Sequence, residues 1–265
     1  MKLRVIQWNI KRSGSLAIQT FLKQRVAQGP TILCLEEVTR SAYDRLTELF
    51  PLAPSCFSLD MRMPGHHEGR ERAIGVAVLA LGLPIVTLEL IDRALFPERT
   101  LSVLLGGPFG PIRVVAFHSL TGSGYLKAKS SNFASIADYL EQHRAKLDFL
   151  CFDGNEPNED SSKVEKIVFS SHGDRGRVKK MSLIMGPQKV HHLKDSYVAY
   201  LKSTGGDIKR DPLALSYKKK LADRRYDYIM HSPRKWKVTD CQYPYKESIA
   251  AHSDHSAVIA DFEPA

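Results

Sequence analysis

No stretch of this 265-residue chain runs to about eighteen apolar positions, which excludes a spanning helix. Cysteine is scarce. Cys34, Cys56, Cys151 and Cys241 are scattered with no CxxC pair, and Cys34 and Cys151 sit in apolar strand-like runs where a thiol acts as a small hydrophobe. The expectation is a reduced, cytoplasmic protein. The opening "MKLRVIQWNI" alternates like a strand and carries Gln7 and Asn9, so it lacks the apolar centre of a signal peptide. No repeat, low-complexity tract or composition break marks a linker, and residues 1–265 read as a single domain. A hydrophobic content of 43% with 25% charged residues excludes a disordered or fibrous chain.

What is present in excess is positive charge, formally +9. That balance favours polyanionic partners: nucleic acid, phosphorylated ligands or an anionic surface. The basic residues concentrate late, at 175–180 ("RGRVKK"), 209–225 and 234–237 ("RKWK"); each cluster can equally be a solvated face.

Periodicity predicts strands at 3–9, 31–38, 73–81, 83–90, 100–105, 112–120, 147–155, 224–232 and 235–242, and a closing strand in "SAVIADF". Helical spacing appears at 15–27, at 41–50 behind a serine N-cap, and at about 127–145, with further helices expected near 158–169 and 194–203. Strands interleaved with helices imply sheets covered by helices.

The strands end on residues that a packed core does not request. Asn9, the Glu36-Glu37 pair, His118, Asp153 with Asn155, Asp227 and Asp254-His255 all stand at such ends. One polar strand end is usually a wet sheet rim. A set of carboxylates, amides and imidazoles converging on one rim suits metal-assisted phosphoryl chemistry instead. Carboxylates hold a hard divalent cation, and histidine exchanges protons near neutral pH.

In their order these strings resemble the endonuclease/exonuclease/phosphatase superfamily over nearly the whole chain. "VIQWNI" is similar to its opening strand, "ILCLEEV" to its Leu-Gln-Glu-Val segment, and "VVAFHSL" to the strand that delivers an active-site histidine. "FLCFDGNEP" resembles its Gly-Asp-Phe-Asn motif, "RRYDYIMHS" the segment of the histidine-pairing aspartate, and "SDHSAVIADF" its terminal Ser-Asp-His. There are two departures: the leading glycine is absent from Phe152-Asp153-Gly154-Asn155, and Glu36 stands where glutamine is usual.

The resemblance implies a four-layer α/β sandwich, two packed mixed β-sheets flanked by helices with the site at one end. It implies a Mg²⁺ or Mn²⁺ ion on Glu37, completed or bordered by Asn9 and Asp254. His255, oriented by Asp227, handles the proton of the attacking water, or Asp153 does; Asn155 and His118 hydrogen-bond the phosphate. Arg99 matches an arginine of the family that precedes "TLSVLL", and Arg72 is a weaker counterpart. The expected activity is that of a nuclease on DNA or RNA, with Tyr125 beside Lys127 and Lys129 able to stack on a base. The alternative is a phosphatase or phosphodiesterase for a small phosphorylated molecule or lipid headgroup. A binding protein that has lost catalysis is a third reading, opposed by the intact polar set.

Overall fold

The computed structural model describes residues 1–265 apart from 27, 65–71, 123, 171–178 and 221. The chain opens with β1 (Leu3–Asn9), α1 (Leu16–Arg25), β2 (Thr31–Val38) and α2 (Arg40–Leu49). β3 (Ser55–Phe57), α3 (Ser58–Met61), β4 (Gly75–Leu81), β5 (Ile85–Glu89), β6 (Thr100–Leu105) and β7 (Ile112–His118) follow. After α4 (Leu126–Gln142) come β8 (Phe149–Asp153), α5 (Ser182–Met185), β9 (Lys194–Asp195) and α6 (Ser196–Thr204). The chain closes with β10 (Tyr217–Lys219), β11 (Ala222–Arg224), β12 (Asp227–His231), β13 (Trp236–Gln242), α7 (Tyr245–Ala250) and β14 (Val258–Pro264).

Two six-stranded sheets form, ordered β13-β14-β1-β2-β4-β3 and β5-β6-β7-β8-β12-β9, and β10–β11 makes a separate hairpin. Each large sheet is mixed. β1–β2 and β7–β8 are parallel pairs across helical crossovers, and the other pairings run antiparallel. Alternation then sorts the side chains into layers. Val5, Ile32, Cys34 and Val78 of the first sheet meet Val103, Val114, Ala116 and Cys151 of the second in a shared core. On the outer faces, Ile6, Trp8 and Leu33 pack on Ile18, Leu22 and Leu46, while Val115, Leu150 and Phe152 pack on Phe133, Ile136 and Leu140. The result is the expected helix–sheet–sheet–helix sandwich.

The same alternation positions the site. The inner-face series 3, 5 on β1 continues to Gln7 and Asn9, and that on β2 to Glu36. On β7 it continues to His118 and on β8 to Asp153, with Asp227 beginning β12 directly opposite. Apolar inner positions therefore give way to polar ones at one end of the sandwich.

Some sequence expectations need correction. Residues 158–169 form no α-helix, only a short turn at Val164–Lys166 and a bridge between Glu159 and Val168. Asp160 is instead drawn inward, where its carboxylate accepts from the buried Arg225 at 2.8 and 2.9 Å and from the Leu213 amide at 3.0 Å. The N-cap of α2 is Thr39, accepting from Ala42 N–H, and not a serine. The Ser-Asp-His knot lies before the last strand, which starts at Val258. His191 and His231 are buried, and His66, His67 and His172 lie outside the described residues. All four cysteines are buried and free.

Candidate active site

Asp153 is the hub. Paired with His118 on one side and Asp227 on the other by strand register, it is fully buried. Its Oδ1 accepts from the Asn155 amide N–H at 2.8 Å, and its Oδ2 accepts from Asn9 Nδ2 at 3.0 Å. His118 Nε2 stands 3.6 Å from both Asp153 Oδ2 and Glu37 Oε1, and His255 Nε2 stands 3.8 Å from Asp153 Oδ2. The other nitrogen of His255, Nδ1, lies 2.8 Å from Asp227 Oδ2, while Gln7 Nε2 donates to Asp227 Oδ1 at 3.1 Å. Asn9, Glu37, His118, Asp153, Asn155, Asp227 and His255 are thus brought together from six separate stretches of sequence.

Backbone geometry aims two of these side chains. Glu37 has φ of 51° where β2 slips register against β4 between Leu35 and Val38. Such a bulge opposes two residues to one and redirects a side chain. A left-handed conformation outside glycine is disfavoured by about 1–2 kcal/mol, so the tertiary fold holds Glu37 there. The bulge separates the doublet: Glu36 is fully buried, accepting from Gln7 Nε2 at 2.9 Å, while Glu37 reaches the rim. Asn155 also sits left-handed, at φ 49°, a region asparagine tolerates. Beneath it the buried Lys129 donates from Nζ to the Asn155 carbonyl at 2.9 Å. Lys129 was expected at a nucleic-acid surface; it instead supports the loop that carries Asn155.

Burial and charge divide the ionisable groups. Burial pushes Asp153 up to about 7, against the attraction of His255 and with the repulsion of Asp227. Burial alone would lower His255, but the charges of Asp227 and Asp153 and the Asp227 hydrogen bond outweigh it and raise the ring to about 10. His118 is lowered well below the usual histidine range by burial, then by Arg99 and His255, so it is a neutral imidazole. Neither of its ring nitrogens has a hydrogen-bond partner among the described residues. Burial, with Asp227 next, raises Glu36 well above the carboxylate range and keeps it uncharged behind the site.

The remaining sequence candidates lie around this centre. Asp254 is on the exposed rim, with Oδ2 3.3 Å from Lys11 Nζ. Arg99 is buried, close enough to lower His118 and to feel the charge of Glu37. Arg72 is drawn away: it stacks on Phe96 and binds the buried Glu98 at 2.6 Å. Tyr125 packs edge-on against Phe96 with ring centres 5.2 Å apart.

Two aromatic residues escaped the sequence reading. Tyr217 on β10 lies 4.6 Å from the His255 ring and stacks on Tyr226. The hairpin is tied to the catalytic turn by Ser256 N–H donating to the Ser216 carbonyl at 2.7 Å. Together Asn155, Tyr217, Lys219 and Tyr226 wall a cleft of about 320 Å³ beside the catalytic groups. The only hint in the sequence was a tyrosine at the head of "YKKK".

No protein-family model and no curated protein matches the chain by sequence. Solved structures do match. The catalytic domain of human Nocturnin, solved with a bound sulfate anion, is 20% identical, covers 100% of this chain and 95% of its own, and superposes with a TM-score of 0.66. TDP2 from D. rerio, complexed with a single-strand DNA product, is 11% identical with 99% of both chains covered and a TM-score of 0.66. ANGEL2, described as a 2',3'-cyclic phosphatase, is 17% identical over 99% of this chain and 95% of its own, with a TM-score of 0.60. The fold is therefore the one that these three structures share, over nearly the full length of each chain.

Within that fold the donor set suits a divalent cation. Asp153, Asp227 and His255 offer ligand atoms all within 4.8 Å of one another, the spacing of a metal cluster. Asp227 and the His255 Nδ1 position are already engaged with each other, however, and a hard cation prefers oxygen. Among the described residues, Glu37 Oε2 pairs with the half-exposed Arg12 at 3.8 Å and Asp254 Oδ2 with Lys11 at 3.3 Å, while Glu37 Oε1 faces His118 Nε2 at 3.6 Å. Exposed pairs of this kind contribute about 0–1 kcal/mol and are readily displaced. Among the described residues, no helix is long and apolar enough to cross a membrane.

Proposed function

We propose that this chain is a Mg²⁺- or Mn²⁺-dependent phosphodiesterase that hydrolyses nucleic acid. The observation that carries the reading is the Asp227–His255–Asp153 line lying beside a cleft walled by Asn155, Tyr217, Tyr226 and Lys219, with Tyr217 packed against the His255 ring. Aromatic faces stack on any unstacked base at about 1–3 kcal/mol each, and lysines follow the phosphate backbone without reading sequence. The TDP2 neighbour, complexed with a single-strand DNA product, supports nucleic acid as the substrate class.

Glu37, with Asn9 and Asp254, would hold the cation, which when bound supplies Lewis acidity and neutralises phosphoryl charge. The chain's own groups do the rest. Neutral His118 and the Asn155 amide donate hydrogen bonds to the phosphoryl oxygens, and Arg99 adds positive charge from behind. Asp227 holds His255 by Nδ1, leaving Nε2 turned toward Asp153 and the attacking water. The water's proton passes into this carboxylate–imidazole line, onto whichever of His255 Nε2 and Asp153 is unprotonated at that pH. The compartment is proposed as cytoplasmic and residues 1–265 as one catalytic domain.

The test is turnover of a substrate panel in Mg²⁺ and in Mn²⁺: single-stranded DNA, duplex DNA, RNA, inositol phosphates and a generic phosphodiester. Hydrolysis that strengthens with strand length supports the nuclease reading. Equal turnover of the small esters and the polymers would assign the chain to small phosphorylated molecules, and metal-independent binding with no turnover would end the enzymatic reading.

A further inference from the structure

The strands that deliver the catalytic groups also build something at their other ends. Arg113, Asp148 and Ser232 each stand five positions from His118, Asp153 and Asp227 on β7, β8 and β12. At about 3.3 Å per residue that is roughly 17 Å from the catalytic rim. There they line a cavity of about 480 Å³ together with Lys146, Arg234 and Lys235. Arg234 and Lys235 belong to the basic "RKWK" cluster, which the catalytic cleft does not use.

Four cations face one carboxylate in this lining, and that carboxylate is fully engaged. Asp148 Oδ2 accepts from Arg113 N–H at 2.9 Å, while Oδ1 accepts from Trp236 Nε1 at 3.1 Å and pairs with Lys235 Nζ at 3.1 Å. Arg113 Nη1 donates to the exposed Glu89 and to Ser102 Oγ, each at 3.2 Å, but its buried Nε has no hydrogen-bond partner among the described residues. Lys146 and Arg234 are exposed, with no carboxylate within 4.0 Å among the described residues. The site therefore keeps unneutralised cations around a floor made of Leu104, Pro111 and Leu147. His192, hydrogen-bonded to Ser232 Oγ at 2.8 Å, closes one wall.

We propose that this cavity is a second binding site for a phosphate group, separate from the catalytic cleft. The chemistry is a guanidinium and ammonium cluster facing a compact dianion, with arginine able to bind it bidentately. The apolar floor leaves room for a base beside the phosphate, so the source is either inorganic phosphate or a nucleoside monophosphate.

Calorimetric titration of the whole chain in EDTA tests it, with inorganic phosphate in one arm and AMP in the other. The Lys146→Glu/Arg234→Glu double variant changes only exposed side chains, and it should weaken binding by roughly tenfold or more, a factor equivalent to about 1.4 kcal/mol. Its metal-dependent phosphodiester turnover should stay at the wild-type level. Asn155→Ala, which alters the catalytic cleft, should leave the phosphate isotherm unchanged. Tighter binding of AMP than of phosphate identifies a nucleotide, and equal binding identifies the phosphate alone; both uphold the site. Wild-type phosphate affinity in the double variant, or loss of the isotherm in Asn155→Ala, overturns it. Neither result depends on whether the catalytic cleft takes nucleic acid.

Discussion

At the scale of single residues, the contact between His255 Nδ1 and Asp227 Oδ2 is the one on which the proposed chemistry turns. A positioned acid or base contributes about 10²–10⁴ in rate. His255→Ala should lose turnover by about that factor while binding Mg²⁺ nearly as wild type does. Asp227→Asn should lose turnover too, and the double variant should be little worse than His255→Ala, because groups acting as a unit are not additive. Multiplicative losses in this cycle would separate the pair. A dead Asp153→Asn beside an active His255→Ala would move proton transfer to Asp153. Glu37 has a distinct signature. Glu37→Gln keeps the bulge and removes the charge, so calorimetry should show weakened Mg²⁺ binding, with activity partly recovered in excess metal. Unchanged affinity would take the ligand role from Glu37; the buried, uncharged Glu36 does not inherit it.

Among the elements, the β10–β11 hairpin joins an exposed lysine edge to the catalytic histidine. Tyr217 faces the His255 ring, and Lys218, Lys219 and Lys220 are all exposed beyond it. Each phosphate contact steepens the fall of log K with log salt by about 0.9 on duplex DNA and about 0.7 on single strands. Replacing the three lysines by alanine should flatten the salt slope by up to three such increments and weaken binding at low salt. An unaltered slope would make them a solvated edge. This hairpin was invisible to periodicity because its strands are three residues long and mostly exposed. The failed helix at 158–169 has a related cause. Its local spacing is overridden by one long-range demand, the buried Arg225 that needs Asp160 and Asp195 around it. An unpaired buried charge is strongly destabilising, by about 3–5 kcal/mol, more than the helix propensity of a short segment can oppose.

The molecule as a whole concentrates buried titratable groups at one end of the sandwich, and stability should report it. His255, raised from 6.5 to about 10, stabilises the fold fully below pH 6.5 and loses that contribution as pH climbs through 10. Asp153, raised from 3.8 to about 7, binds its proton more tightly when folded, so stability falls as pH rises from about 4 to 7. Glu36 acts in the same sense. Below about pH 6.5 the lowered His118, His191 and His231 work in the opposite sense, so in EDTA the unfolding free energy should decline from about pH 7 to about pH 8, where His255 dominates. Mg²⁺ should raise Tm more at pH 8 than at pH 5, because Asp153, hydrogen-bonded to the proposed ligand Asn9, loses its proton near pH 7. A metal-induced shift that is equal at both pH values would place the cation out of reach of the Asp153 charge.

Much of this was legible in the linear chain. Alternation and helical spacing located the helices of both parallel crossovers, and the residues that interrupt apolar strands include most of the polar groups that cluster at one rim. Those signals are local: a strand's period is written in its own side chains, and a polar residue in an inner-face series stands out wherever the chain later goes. What only the tertiary structure decided is which polar groups meet. Glu36 and Glu37 look equivalent in sequence, yet a bulge against β4 buries one and presents the other. Lys129 and Arg72 resemble phosphate ligands, but they serve Asn155 and Glu98. Tyr217 has no local mark at all; it reaches the catalytic histidine because a turn more than thirty residues away packs against it. Contacts between distant segments depend on the packing of both sheets at once, and no window of sequence contains that information.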